Sequence, residues 1–192
     1  SKLPAQPNGQ SASSTNPDTW SDFLTVQAAY ESNPSLFAGV GFVFCDEDNL
    51  IGVDLDDCYD AATNRFTIPE MERLANSING YMEISPSGTG VKIFTRADLS
   101  NAHVDHTIGL EIYPRGRYFT VTGHYIGGEV PQDVQDFTSI VPERRQVHTG
   151  DAFADYVPAV AEYDLHRVET ELLSKIDPNI GYVGVMGALV IW

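Results

Sequence analysis

The chain has 192 residues, 42% hydrophobic and 20% charged, which excludes wholesale disorder and suffices for one compact domain with part of a second. Its formal net charge is −16, with only 11 Lys and Arg, whereas nucleic-acid enzymes usually show a basic face that neutralises phosphate. Salt-rich surroundings that screen acidic self-repulsion, or a further domain that grips the template, would reconcile that charge with a nucleic-acid role. No apolar run approaches the roughly 20 residues of a membrane span and no signal-peptide pattern opens the chain, so a soluble, cytoplasmic protein without a membrane partner is expected.

In chain order, residues 1–18 are rich in Ser, Pro, Asn, Gly and Gln and read as a flexible lead-in. Pro17, Asp18 and Thr19 offer caps for a helix over 20–31, with Trp20, Leu24 and Ala28 at helical spacing. Strands are predicted over 40–45 and 50–55, and the acidic insert 46–49 between them gives a hairpin signal. Cys45 and Cys58 form no disulfide framework or metal spacing and read as reduced, small hydrophobic residues. Pro69 opens a second predicted helix over 69–78, with Glu70 and Glu72 near its positive end. Strands 81–84 and 91–94 flank a serine-glycine turn over 85–90, and strands 110–113 and 118–122 flank 114–117. His103, Asp105 and His106 lie in a polar stretch without further ligands and read as a mobile loop. Helices are predicted over 164–176 and 182–192; the last is apolar and ends without a cap, as if cut from a longer protein.

Chemistry concentrates in three places. Asp54 and Asp56 end an apolar strand, and residues two apart on a strand share a face. Their carboxylates either converge on a hard cation such as Mg²⁺ or Mn²⁺ or form a solvated acidic strand end continued by Asp57 and Asp60. The turn containing Ser87, Gly88 and Gly90, followed by Lys92, offers amides and a cation to an anion or is a plain hairpin turn. It lacks the Gly-Lys-Ser/Thr ending of a Walker loop and leads into a strand. Glu111 interrupts the apolar run Leu110-Glu111-Ile112, as a third metal ligand or as an exposed strand residue. Arg115 and Arg117 follow as forked phosphate donors or ordinary surface charge, and His124 is a candidate nucleotide contact or a turn residue.

Taken in order, Ile51-Gly52-Val53-Asp54-Leu55-Asp56, Ser85-Pro86-Ser87-Gly88-Thr89-Gly90-Val91-Lys92 and Gly109-Leu110-Glu111-Ile112-Tyr113 resemble the three motifs of archaeo-eukaryotic-type primase-polymerases, above all the prim-pol domains of phage and plasmid replication proteins. Residues 116–123 and 16–20 resemble the same branch, so the likeness spans about 19–124. The resemblance implies an α/β (α+β) prim-pol catalytic core with an RRM-like sheet, followed by the start of a C-terminal helical element. It implies Asp54, Asp56 and Glu111 as catalytic metal-binding carboxylates, and Ser87, Gly88, Gly90, Lys92, Arg117 and His124 as nucleotide-binding residues. Lys92 stands where many members have His. A catalytic domain over 19–150 would be followed, over 151–192, by a linker and a truncated primase-associated helical domain. The implied activity is template-directed nucleotidyl transfer, a DNA primase and DNA polymerase using NTP or dNTP, Mg²⁺ or Mn²⁺, and a DNA template and primer. A helicase domain in the full-length protein and, for a phage protein, the host cytoplasm as its location are implied as well. The rival readings are a catalytically silent nucleic-acid-binding module and a metal-dependent phosphohydrolase.

Overall fold

A computed structural model describes residues 3–46, 49–141, 164–173 and 189–191. It is a mixed α+β fold built around an antiparallel sheet. Six strands, β2 (Leu50–Leu55), β5 (Tyr81–Ile84), β6 (Val91–Arg96), β7 (His103–Asp105), β8 (Leu110–Tyr113) and β10 (Tyr125–Gly127), lie in the order β10-β5-β6-β2-β8-β7. A smaller sheet, in the order β11-β1-β9, comprises β1 (Val40–Val43), β9 (Tyr118–Val121) and β11 (Leu189–Ile191). A short ribbon pairs β3 (Tyr59–Asp60) with β4 (Arg65–Phe66).

Alternation along β2 sorts the core onto the two faces of the large sheet. Ile51, Val53 and Leu55 join Ile93, Ile112 and Phe137, covered by Met71, Ala75 and Ile78 at helix α2 (Pro69–Ser77) and its cap. On the opposite face Leu50, Phe94, Tyr81 and Tyr113 meet Phe42, Phe44, Phe119 and Val121, together with Phe23 and Val26 of helix α1 (Phe23–Ser32). The ring of Phe119 lies edge-on to Phe44 at 4.9 Å and to Phe94 at 5.9 Å between centroids. Gly52 leaves room for this packing, because a Cβ there would fall 2.4 Å from the Phe119 ring and 2.5 Å from Phe44. The substitution Gly52→Ala is therefore expected to cost about 1–3 kcal/mol through overpacking, measured by urea denaturation; an unchanged midpoint would show that the rings shift freely.

Several sequence expectations are corrected. The hairpin between 40–45 and 50–55 does not form: β1 pairs with β9 and β11, whereas β2 pairs with β6 and β8. All four β1 residues are buried, so the chain uses the intervening loop to pass between layers, a choice that local turn residues do not encode. The connection 114–117 does the same between β8 and β9. Helix α1 begins later than expected, capped by Asp22, whose carboxylate accepts from the Thr25 amide at 2.9 Å, while Pro17–Thr19 forms a separate 3₁₀ turn. Its buried positions are Phe23 and Val26, and Leu24 is 50% exposed. The supposed loop at 103–106 contains strand β7, paired with β8.

At the C-terminal side, Leu189–Ile191 is a strand on β1 and not part of a helix. The expected helix over 164–176 is a short helix, Leu165–Arg167, continuing as a π-helical turn over Val168–Leu173. Leu165, Val168, Leu172 and Leu173 are buried in the same core as Phe42 and Phe94. The remaining helix and linker expectations for 142–163 and 174–188 lie outside the described residues. The N-terminal lead-in has contacts of its own: the Ser14 hydroxyl donates to the Gly116 carbonyl at 2.9 Å, and Ala12 and Trp20 pack on Val43. No helix among the described residues is long and apolar enough to cross a membrane.

Candidate active site

Antiparallel register sets the site. Asp54 pairs with Lys92 on one side and Glu111 on the other, and Lys92 in turn pairs with Glu83. Directly opposed residues project to one face, so Glu83, Lys92, Asp54 and Glu111 form a charged row across four strands. The row lies one step beyond the aromatic row Tyr81, Phe94, Gly52 and Tyr113, on the face turned toward the small sheet. Lys92 marks this orientation, its Nζ lying 4.5 Å from the centre of the Phe119 ring.

Each member of the row is held differently. Lys92 and Asp54 form a largely buried ion pair through Nζ and Oδ2, while Asp54 Oδ1 is buried without a hydrogen-bond partner. Glu111 accepts from the Tyr113 hydroxyl on Oε2 at 2.9 Å and faces His106 Nδ1 through Oε1 at 3.3 Å. Glu83 is fully buried and receives the Thr122 amide at 2.8 Å, the Gly123 amide at 3.0 Å and the Tyr81 hydroxyl at 3.1 Å. Asp56 continues β2, its amide bound to the Gly109 carbonyl at 2.8 Å. Although Asp56 keeps a solvent-facing side, crowding by protein and then the charge of Asp54 push its carboxyl up to about 6, with Lys92 pulling the other way and Glu111 and Asp57 adding to the rise.

The serine-glycine turn closes against this strand end. Gly90 approaches so near that a Cβ would sit 2.7 Å from the Leu55 carbonyl oxygen, and on the other side a Cβ on Gly109, at φ +69°, would sit 2.9 Å from that of Asp56. The Gly88 amide donates to the Ser85 carbonyl at 2.9 Å and the Gly90 amide to the Ser85 hydroxyl at 3.1 Å. These amides thus serve the turn, and Gly90 has a packing reason to be glycine apart from any anion. Ser87 shares hydroxyl contacts with Ser85 at 2.9 Å and Thr89 at 3.0 Å.

Among the other candidates, Arg117 lies over the Tyr113 ring, 5.1 Å from its centre, and the Tyr113 hydroxyl in turn donates to Glu111. Arg115 is bound to Asp46 and to the Ser100 carbonyl, away from the row. His124 follows the Glu83-bound corner, its carbonyl accepting from the Ile84 amide at 2.9 Å. Cys58 is buried near the aspartates, where burial and then Asp54 and Asp56 raise its thiol to about 11, fitting an inert core residue. Glu83 was not singled out from sequence, although it interrupts the apolar run Tyr81-Met82-Glu83-Ile84 as Glu111 interrupts its own.

As they stand, no three His, Cys, Asp or Glu side chains among the described residues are gathered closely enough to hold a metal ion. The donor set nevertheless suits one. Asp54 Oδ1 is an unsatisfied buried acceptor, which is costly unless something completes it, and the charges of Asp54 and Glu111 both act on Asp56. Carboxylate oxygens of this kind are the ligands that hard divalent cations take.

The raised carboxyls carry a pH prediction. Glu83 is pushed up to about 7, chiefly by burial, against the pull of the Thr122 and Gly123 amides, and Asp56 to about 6. A carboxyl whose pKa is raised on folding stabilises fully below its unfolded value and loses that stabilisation as pH rises through its folded value. Asp22, Asp60, Asp105, Asp136 and Glu70 are shifted down and act oppositely, losing their contribution in acid. In metal-free buffer the melting temperature is therefore expected to peak between about pH 4 and 6 and to fall toward pH 8, less steeply in Asp56→Asn. A melting temperature that rises from pH 5 to 8 would contradict this assignment.

The antiparallel, mixed α+β core is compatible with a primase-polymerase fold, and similarity to a known protein supports that class. Over 136 residues the chain is 35% identical to the DNA primase-polymerase of Nitratiruptor phage NrS-1. The chain carries a prim-pol domain. The match covers 66% of the chain but only 18% of the phage protein. No family model matches.

Proposed function

We propose that this domain is the nucleotidyl-transfer centre of a phage-type replication protein, extending a primer on a DNA template with NTP or dNTP. A primer 3′-hydroxyl would attack the α-phosphorus of the incoming nucleotide, forming a phosphodiester as the bond to the bridging oxygen breaks, with loss of the hydroxyl proton and release of pyrophosphate. Asp54, Asp56 and Glu111 would hold Mg²⁺ or Mn²⁺, which when bound supplies Lewis-acid activation of the hydroxyl and neutralises phosphate charge. Lys92 and Arg117 would face the triphosphate as cations. Ser87 and the Gly88–Gly90 turn would border it, with His124 on the Glu83 side. A helicase domain elsewhere in the full-length protein, and the host cytoplasm as the site of action, belong to the same proposal.

The observation that carries this reading is the orphaned, buried Asp54 Oδ1 beside Glu111 in one row. The phosphohydrolase reading requires a parallel α/β sheet, and every strand pairing in the six-stranded sheet is antiparallel. A silent binding module draws support from the ungathered carboxylates. Extension of a labelled primer on a DNA template separates these readings. Elongation that needs Mg²⁺ or Mn²⁺ and fails in Asp56→Ala supports the polymerase. Template binding without elongation, under both metals and both nucleotide types, supports the module.

A further inference from the structure

Lys92 has two claims on one ammonium group. On the nucleotidyl-transfer reading, on which this inference rests, it faces the triphosphate; in the structure its Nζ is bound to Asp54 Oδ2, with the side chain 7% exposed. The pair lies among carboxylates: Glu83 opposes Lys92 on the next strand, Glu111 opposes Asp54, and Asp56 follows two residues on. Lys92 thus stands among Glu83, Asp54, Glu111 and Asp56. Asp54 gives one oxygen to that cation and keeps the other buried and unpartnered. A divalent cation completing Asp54 would stand within a few ångströms of the ammonium, and like charges that close in a poorly solvated site repel strongly. Lysine carries its charge on a flexible four-carbon stem, so the repulsion can be relieved by moving the ammonium.

We propose that Lys92 is a built-in counter-ion: it holds Asp54 in the metal-free protein, yields it to an arriving divalent cation, and is thereby released toward the triphosphate. Metal and nucleotide occupancy are then coupled through one side chain. Metal alone binds against Lys92, and a nucleotide that takes up the freed ammonium removes the opposition, a coupling that must be reciprocal.

Calorimetric titration with Mn²⁺ alone at pH 8, above the ordinary titration range of carboxylates, tests this in wild type, Lys92→Met and Asp54→Asn. Lys92→Met is expected to bind Mn²⁺ about fivefold tighter than wild type or better, the lower end of typical coupling, while its affinity for a non-hydrolysable nucleotide falls. Equal or weaker Mn²⁺ binding in Lys92→Met, with binding lost in Asp54→Asn, would overturn the counter-ion and leave the metal site standing. Wild-type Mn²⁺ affinity in Asp54→Asn would instead overturn the site reading itself. Should Lys92→Met fail to fold, wild type still decides, because the chain has three lysines, Lys2, Lys92 and Lys175. With ¹⁵N-labelled lysine, saturating Mg²⁺ should speed proton exchange between the Lys92 ammonium and water; an unchanged rate at calorimetric saturation refutes the release.

Discussion

Replacing Asp54 with Asn is expected to lower templated primer extension by roughly 10³-fold, the scale on which loss of one group stabilising transition-state charge is felt. The substitution preserves shape, so Lys92, stacked at 4.5 Å on Phe119 and opposed by Glu83, keeps a defined position. What changes is the charge at the centre of the row and the oxygen left open for a cation. A folded Asp54→Asn protein, verified by circular dichroism, that extends primers at more than about a tenth of the wild-type rate would remove Asp54 from the chemistry, because a tenfold loss corresponds to only about 1.4 kcal/mol of the barrier.

Glu83 is expected to govern stability where Asp54 is proposed to govern chemistry. The substitution Glu83→Ala strands two buried amides, Thr122 and Gly123, and the Tyr81 hydroxyl. At about 1–3 kcal/mol for each unsatisfied buried group, a net loss of about 3–5 kcal/mol is expected, a large share of the 5–15 kcal/mol typical of a domain. Part of the gross cost is offset because a buried carboxylate no longer has to be desolvated. The residues it pins form the corner where β9 leaves the small sheet and the chain joins β10 of the large one. Gly123, at φ +70°, packs there so tightly that a Cβ would lie 2.0 Å from the Asp164 carbonyl oxygen. Glu83→Gln retains one acceptor and should lose less. Denaturant midpoints compare the three proteins, and a Glu83→Ala midpoint matching wild type would show that solvent or a backbone shift satisfies those amides.

What sequence revealed follows the range of the forces involved. Strand β2 was expected over 50–55 and found at Leu50–Leu55, because an apolar run ending in acids sets its own limits. The β5–β6 hairpin and helix α2 were equally readable, the first from its glycine turn and the second from Pro69 and its acidic first turn. The pairing of Asp54 with Lys92 and Glu111 was not written locally, since it depends on register across three strands far apart in sequence. The partner of β1 was hidden for the same reason: a four-residue strand buried throughout fits either sheet. Helix α1 misled because two stripes compete on it, and tertiary packing chose Phe23 and Val26 over Leu24. The Lys92–Asp54 ion pair adds to what the motif suggested, since in the structure the lysine faces an aspartate.

Where a cation binds decides the role of the charged row most directly. A crystal soaked with Mn²⁺ and a non-hydrolysable nucleotide, recorded at the manganese edge, gives that position by anomalous scattering. The account predicts a peak about 2.1–2.3 Å from Asp54 Oδ1, within the range of hard cations on oxygen, with Asp56 or Glu111 as a second protein ligand and Lys92 turned to the phosphates. A peak elsewhere, or a nucleotide bound with Lys92 still on Asp54 and no metal beside it, would contradict it.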